Sequence, residues 1–319
     1  MSNRVLLTDF PWGEVTVERK ILEEAGLELI VGSANAASEG DIEALVRTAD
    51  PAAILTCWAP VSARAIAAPT MLCIVARLGI GLDNIAVEHA TERGAWVTNV
   101  PDYCVGEVAD HAVALVLAHF RGVVQLDRAV RRVGWHNPSV ALRRISTLCI
   151  GLIGFGRIGQ ATAIRLGAFG CRVIAHSRSN RALPGVVEAA SLQTLKEEAD
   201  AIILQLPLTP ETANLVDEKF LRACRRTPLI VNVGRGGLID NTALVRALDA
   251  GWIAGAALDV IAGEPNPPAA LLCREDVIVT PHVAYLSKES LGELRRRACE
   301  DVVRAMAGQR PLEVRNETK

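Results

Sequence analysis

The sequence predicts an α/β fold in which two doubly wound parallel sheets form two domains. The chain has 319 residues, of which 50% are hydrophobic and 22% are charged, and a domain typically takes about 150 residues. Short apolar runs alternate with segments of helical spacing, first before residue 100 and again from Leu148 onward. Such alternation is typical of strand–helix–strand units, whose strands lie parallel to one another.

The first alternating series predicts one sheet. Its predicted strands are Val5–Leu7, Leu27–Val31, Ala53–Thr56, Cys73–Ala76 and Ala95–Thr98. Residues 17–25 and 42–48 have the apolar spacing of helices that connect such strands. A long amphipathic stretch from Val105 to Val133 follows, and it predicts either one long helix or two consecutive helices.

The second series predicts another sheet and a final helix. Its predicted strands are Leu148–Ile153, Cys171–Ala175, Ala201–Leu204, Leu229–Val233, Ala254–Asp259 and Val277–Thr280. An amphipathic helix is predicted from about Ser287 to Ala307, and we expect it to return to the first sheet. We therefore predict one domain of residues 1–100 plus 284–319 and a second of residues 101–283.

Charge and composition argue against several classes of partner. The formal net charge of −2 provides no basic field for a phosphate backbone, so we expect no nucleic-acid partner. No apolar run reaches the roughly 20 residues that span a bilayer, and the N-terminus resembles no signal peptide, so we expect a cytoplasmic protein without membrane contact. The eight cysteines lack a CxxC pair and are expected to be buried thiols in a reducing compartment. The six histidines lack metal-site spacing, so no metal is expected.

A glycine fingerprint follows the first strand of the second series. The run Gly154, Phe155, Gly156, Arg157, Ile158 and Gly159 comes directly after that strand and opens a predicted helix. Glycines in this context allow a tight turn, a close approach of the backbone to a pyrophosphate, and helix–strand packing. An ordinary glycine-rich turn is the alternative, but the strand-to-helix context favours dinucleotide binding.

The end of the next strand bears on the choice of cofactor. Enzymes that use NAD commonly place an acidic residue there, on the adenosine ribose, whereas this chain has Ser177, Arg178 and Ser179. Hydroxyls and a guanidinium suit a 2′-phosphate, which an acid would repel. We therefore expect NADP to be preferred, with NAD as the alternative cofactor; a solvated loop arginine is the alternative interpretation of Arg178.

Three side chains follow strands of the second series and form a candidate catalytic set. They are Arg235, Glu264 and His282, and the carboxyl ends of parallel strands meet at one edge of a sheet. Reduction of a 2-oxo acid needs a cation for the substrate carboxylate, a proton donor, and a carboxylate that keeps the donor charged. Each residue alone has an ordinary structural explanation, but together they are the kinds of group that this chemistry needs.

These motifs resemble the D-isomer-specific 2-hydroxyacid dehydrogenase family, and the resemblance covers nearly the whole chain. It implies a flavodoxin-like substrate domain, a Rossmann dinucleotide-binding domain and a homodimer. It also implies hydride transfer between NAD(P)H and C2 of a small 2-oxo or 2-hydroxy acid. In that family the residues matching Arg235, Glu264 and His282 are catalytic: Arg235 would hold the carboxylate, His282 would exchange the proton, and Glu264 would orient and charge the imidazole.

The same resemblance extends to further binding residues. It implies that the loop beginning at Arg77 binds the substrate, with the backbone amides of Ile80 and Gly81 on its carboxylate. Arg77 and Tyr285 are candidate side-chain contacts with the substrate. It implies additional cofactor contacts, listed in chain order as Val108, Leu206, Pro207, Thr212, Val233, Gly234 and Asp259. The chain departs from the family at Val233 and Gly234, where many members have Thr and Ala, so one hydroxyl near the cofactor is missing.

A second class of function shares this fold. The C-terminal-binding proteins are transcriptional corepressors related to these dehydrogenases, and they resemble this chain at Arg77, at the aromatic Tyr285 and in the terminal helix. A dinucleotide-responsive, corepressor-like binding protein is therefore the alternative, because fold alone does not determine function.

Overall fold

The computed structural model describes residues 2–35, 38–135, 141–178, 182–183 and 185–318. The chain divides into two compact units, one of residues 1–103 with 287–319 and the other of residues 104–286. We refer to them as unit 1 and unit 2. What each unit binds stays a prediction.

Unit 1 contains a parallel sheet of five strands within its described residues. The strands are β1 (Arg4–Asp9), β2 (Glu28–Ser33), β3 (Ala53–Thr56), β4 (Ile74–Arg77) and β5 (Trp96–Thr98). Their order in the sheet is β2-β1-β3-β4-β5, which is the flavodoxin-like order. In the register, Val5 of β1 pairs with Leu29 on one side and with Ala53 on the other.

Helices surround this sheet, and one of them comes from the far end of the chain. The helices are α1 (Thr16–Glu24), α2 (Glu39–Ala49), α3 (Ala63–Ala67), α4 (Val87–Glu92) and the C-terminal helix (Lys288–Met306). The C-terminal helix packs against α1, β3, β4 and β5. On its α1 side the buried Arg295 donates to the buried Glu18 at 2.6 and 2.7 Å. The predicted return of this helix to the first sheet is confirmed.

Unit 2 contains a second parallel sheet, of seven strands within its described residues. The strands are β6 (Cys149–Ile153), β7 (Arg172–His176), β8 (Glu188–Ala189), β9 (Ala201–Leu204), β10 (Leu229–Asn232), β11 (Gly255–Leu258) and β12 (Val277–Val279). Their order is β12-β11-β10-β9-β6-β7-β8. Counted from β6 as the first strand, this is the Rossmann order 3-2-1-4-5-6 with one strand added, so both predicted sheet architectures are confirmed.

The helices of unit 2 include the two that follow β5 in the chain. The helices of unit 2 are α5 (Val105–Phe120), α6 (Val123–Val133), α7 (Arg157–Ala168), α8 (Leu192–Glu198), α9 (Glu218–Arg222), α10 (Asn241–Asp249) and α11 (Ala269–Leu272). Of the two alternatives predicted for the stretch from Val105 to Val133, the structure has two helices. Gly122 separates them with a left-handed backbone.

Each sheet is the centre of its own apolar core. Strands β3, β4, β6, β9, β10 and β11 are buried along their whole length, as expected for parallel strands covered by helices on both faces.

The expectation that every cysteine is buried is wrong at Cys273, which is exposed just after α11, and Cys73 and Cys224 are only partly buried. Within the described ranges, no helix is both long and apolar enough to cross a membrane.

Candidate active site

The carboxyl edge of the unit 2 sheet carries the predicted cofactor and catalytic residues. The glycine run follows β6, and Arg178 follows β7 on one side of it. On the other side come β9, β10, β11 and β12, which are neighbours in that order. Arg235 follows β10, Glu264 follows β11 and His282 follows β12. The topology therefore brings the candidate catalytic set to three adjacent strand ends.

The glycine run is shaped by close contacts of the backbone with itself. Gly154 has φ +102°, a conformation that favours glycine, and a Cβ placed there would collide with the carbonyl of Gln205. A Cβ at Gly159 would collide with the carbonyl of Gly154. These two glycines are therefore required by the packing of the turn between β6 and α7.

Gly156 differs, because the protein itself does not require a glycine there. A Cβ at this position would meet no atom within 4 Å, and the residue is exposed just before Arg157 at the start of α7. A pyrophosphate bound at this helix N-terminus would use that space and the backbone N–H groups. Of the neighbouring residues, Phe155 is buried and Ile158 is partly buried. The residues present fit a dinucleotide.

The end of β7 carries the residues predicted to select the cofactor. Ser177 is partly buried and Arg178 is exposed, whereas Ser179 lies outside the described residues. The pKa of Glu211 is lowered, first by a hydrogen bond with Thr209 and, more weakly, by the charge of Arg178. Sequence analysis missed Glu211, because it follows β9 and its proximity to Arg178 depends on the strand order.

The loop after β9 is held by its own side chains. The hydroxyl of Thr212 donates to the carbonyl of Pro207 at 2.8 Å and accepts from the backbone N–H of Thr209 at 2.7 Å. Leu206 is partly buried and Pro207 is exposed. Thr212 therefore shapes this loop, and the cofactor contacts predicted for these residues stay predictions.

Arg235 stands on a turn that Asn232 organises. The buried Asn232 side chain accepts from the N–H of Gly234 at 3.0 Å and donates to the carbonyl of Arg235 at 2.9 Å. A Cβ at Gly236 would collide with the backbone of Ile261. The turn that carries Arg235 is thus packed against the segment that leads to Glu264.

Two residues in and beside this turn have predicted cofactor contacts. Val233 is buried and Gly234 is partly buried, and both contacts stay predictions. Sequence analysis did not single out Asn232. The burial of its side chain and its two bonds to the turn reveal its structural role.

His282 and Glu264 lie within hydrogen-bonding distance of each other, as the sequence predicted. His282 Nδ1 lies 3.1 Å from Glu264 Oε1, with side chains 20% and 41% exposed. His282 has φ +55°, a left-handed conformation that is uncommon outside glycine. The ring of Tyr285 lies edge-on to the imidazole, with centroids 6.4 Å apart.

Asp259 is buried behind this turn. Its carboxylate accepts hydrogen bonds from the Thr280 hydroxyl at 2.6 Å and from the backbone N–H groups of Val283 and Ala284 at 2.9 and 3.0 Å. The predicted contact of Asp259 with the nicotinamide stays untested, as does that of Val108, which is buried on α5.

The predicted substrate loop belongs to unit 1. Arg77 ends β4 and is only 5% exposed; its guanidinium lies 5.4 Å from the centre of the Trp58 ring. A Cβ at Gly79, where φ is +157°, would lie 2.7 Å from Arg77 Nη1. A side chain at this position would therefore press on the end of the Arg77 side chain and would have to adopt a φ that favours glycine.

Two asparagines fix the rest of the loop. Asn99 donates to the carbonyl of Ile80, and Asn84 donates to the carbonyls of Cys57 and Ala59 at 3.3 and 2.9 Å. Ile80 and Gly81 are partly buried. The substrate-binding roles predicted for Arg77, Ile80, Gly81 and Tyr285 stay predictions.

Comparison with known proteins identifies relatives over most of the chain. The model of the family described as D-isomer specific 2-hydroxyacid dehydrogenase, NAD binding domain, matches residues 113–284. The glyoxylate reductase of Korarchaeum cryptofilum is 38% identical over 266 residues, which are 81% of this chain and 80% of that protein.

Solved structures extend the similarity to both ends of the chain. A protein of Thermus thermophilus has a TM-score of 0.89 and 33% identity, covering 98% of this chain and 99% of its own. The NADPH-dependent glyoxylate/hydroxypyruvate reductase of Sinorhizobium meliloti, in complex with NADP and malonate, has a TM-score of 0.85 and 32% identity, covering 99% of this chain and 97% of its own.

Proposed function

Because this chain belongs to the D-isomer-specific 2-hydroxyacid dehydrogenase family, we propose that it transfers a hydride between NAD(P)H and C2 of a small 2-oxo or 2-hydroxy acid, with the D configuration in the hydroxy acid. The observation that carries the proposal is the pairing of His282 with Glu264 at 3.1 Å. The pair stands on strand ends next to the one that carries Arg235.

The three side chains divide the work of reduction. Bound NAD(P)H supplies the hydride to C2. Arg235 holds the substrate carboxylate and polarises the carbonyl, while His282 gives a proton to the carbonyl oxygen, so that the 2-oxo acid becomes a 2-hydroxy acid. Since Nδ1 of His282 is bonded to Glu264, the proton leaves from Nε2. Glu264 orients the ring and stabilises its positive charge.

We propose glyoxylate and hydroxypyruvate as the first substrates to test. A relative from Korarchaeum cryptofilum is named a glyoxylate reductase, and one from Sinorhizobium meliloti a glyoxylate/hydroxypyruvate reductase. The experiment measures oxidation of NADPH and NADH with these two acids and with longer 2-oxo acids. Turnover supports the proposal. Tight cofactor binding without turnover of any acid favours the corepressor-like alternative instead. The homodimer predicted from the family resemblance stays a prediction.

We propose further that NADP is the preferred cofactor. Arg178 is exposed after β7, and a guanidinium suits the geometry of a 2′-phosphate. The pKa of Glu211 is lowered mainly by its hydrogen bond with Thr209, and the charge of Arg178 is the weakest of the causes. The carboxylate of Glu211 is therefore expected to oppose a bound 2′-phosphate at Arg178 only slightly.

Replacing Arg178 with alanine is expected to raise the KM for NADPH by about 10- to 100-fold, because a hydrogen bond to a charged group contributes about 1.5–3 kcal/mol. The KM for NADH should change by less than about twofold, because NADH has no 2′-phosphate. Steady-state kinetics with both cofactors measure this. The matched control is Arg47→Ala, which removes an exposed arginine from α2 and should alter neither value.

The variant Glu211→Gln distinguishes a phosphate contact from a loop effect. It removes a nearby negative charge while keeping the side-chain shape, so the KM for NADPH should fall only slightly and that for NADH should not change. Equal losses with both cofactors in Arg178→Ala would contradict the phosphate role.

A further inference from the structure

The turn that carries His282 has a backbone that must be held in place. His282 has φ +55°, a left-handed conformation that is unfavourable for a residue other than glycine. The N–H of His282 donates to the carbonyl of Asp259 at 2.8 Å and to that of Thr280 at 3.0 Å. The next two N–H groups, of Val283 and Ala284, donate to the Asp259 carboxylate. The whole turn is thus wrapped around Asp259.

Thr280 connects this carboxylate to a second histidine, on α5. The hydroxyl of Thr280 donates to Asp259 Oδ1 at 2.6 Å and lies 2.9 Å from His111 Nε2. Its single hydrogen is directed to the carboxylate, which can only accept. The contact with His111 must therefore be a hydrogen bond that the imidazole donates. This fixes a hydrogen on Nε2 of His111.

The three groups form a directed chain that is mostly shielded from water. The side chain of Asp259 is 1% exposed and that of His111 is 23% exposed, and His111 Nε2 lies 3.6 Å from Asp259 Oδ1. At each step the donated hydrogen places partial positive charge toward the buried carboxylate of Asp259. This partial charge stabilises the carboxylate. Removing either donor weakens the anchor of the turn.

We infer that Thr280 and His111 are positioning residues for His282: the chain from His111 through Thr280 to Asp259 holds the turn in the conformation that directs the imidazole to the substrate. The inference rests on the proposed function, in which His282 exchanges the proton. Neither residue touches the reacting atoms in this scheme. Both act through Asp259 on the backbone of the turn.

The test compares Thr280→Val with Thr280→Ser. Valine keeps the shape and removes the hydroxyl, whereas serine keeps the hydroxyl. In Thr280→Val we expect kcat for 2-oxo acid reduction to fall about 10-fold or more, because a small misplacement of a catalytic group is costly. The KM for the acid should stay within about twofold, since Arg235 still binds it. The solvent deuterium isotope effect on kcat should rise as proton transfer becomes slower, and Thr280→Ser should restore all three values.

A second readout needs no turnover. Hydrogen exchange of the amides of Val283 and Ala284 should be faster in Thr280→Val than in wild type and Thr280→Ser, because the Asp259 carboxylate that accepts their hydrogen bonds is less firmly held. The control Thr242→Val changes an exposed threonine at the start of α10 and should leave this exchange unchanged. If Thr280→Val folds poorly, His111→Leu and His111→Gln provide the same comparison, since glutamine retains an N–H donor.

The outcomes separate the two proposals. Unchanged kcat and unchanged exchange in Thr280→Val would overturn the positioning role. A loss of kcat with unchanged isotope effect and exchange would also overturn it, since that pattern indicates only less active protein. Wild-type protein that reduces no 2-oxo acid would refute the proposed function alone, while amide exchange would still decide whether the chain of hydrogen bonds holds the turn.

Discussion

Replacing Arg235 with lysine is expected to lower kcat/KM for 2-oxo acid reduction by roughly 100-fold or more, the scale of losing one fixed donor at a developing oxyanion. Lysine keeps the positive charge but lacks the planar pair of donors that can hold a carboxylate and polarise the adjacent carbonyl together. Because the two bonds from the Asn232 side chain to the N–H of Gly234 and the carbonyl of Arg235 involve backbone groups, the turn should survive the change. The dissociation constant for NADPH should therefore stay within about twofold.

The measurement combines steady-state kinetics with a fluorescence titration of NADPH. The matched control is Arg246→Lys, on α10, where the arginine pairs with Glu218 at the surface and an exposed pair contributes little. Near wild-type activity of Arg235→Lys would remove Arg235 from the mechanism. Loss of cofactor binding would instead assign it to the structure of the turn.

Replacing His282 with asparagine is expected to lower kcat by about 10²- to 10⁴-fold, the usual contribution of a general acid or base. Asparagine is chosen because it accepts a left-handed backbone better than most residues do, and His282 has φ +55°. Alanine would combine the chemical loss with strain in the turn. The melting temperature of His282→Asn should therefore remain close to that of wild type.

Both directions of the reaction should be assayed, because the group that donates the proton in reduction, His282, accepts it in oxidation. The control His89→Asn changes an exposed histidine on α4 and should leave kcat unchanged. Wild-type rates in His282→Asn would transfer the proton step to another group.

The parts of the fold that could be predicted are those with a local signal. Buried strands such as Ala53–Thr56 and Ala201–Leu204 appear as short apolar runs between turns, and the structure has both with the predicted limits. The two-residue strand Glu188–Ala189 has no such signal, since both residues are exposed. It exists because β7 offers an edge to pair with.

The candidate site divides in a similar way. Arg235, Glu264 and His282 could be selected because each follows a recognisable strand. Glu211, His111 and Thr280 could not be selected, because their roles depend on which groups the strand order brings near them. The side chain of His111 lies on a helix whose spacing suggests only core packing, and its bond to Thr280 spans 169 positions of sequence. No periodic pattern reports such a contact.

The construction of unit 1 from both ends of the chain sets an order of events during protein synthesis. Asn316 accepts from the N–H of Val97 and donates to the carbonyl of Ala95, and Leu294 and Val302 are buried on the C-terminal helix. The ribosome synthesises residues 104–286 before it reaches the C-terminal helix and Asn316, so unit 2 can complete its sheet first. Until the C-terminal helix has been synthesised, β3, β4 and β5 lack the helix that packs on them. The growing chain then exposes the apolar surface of these strands to chaperones or to other nascent chains.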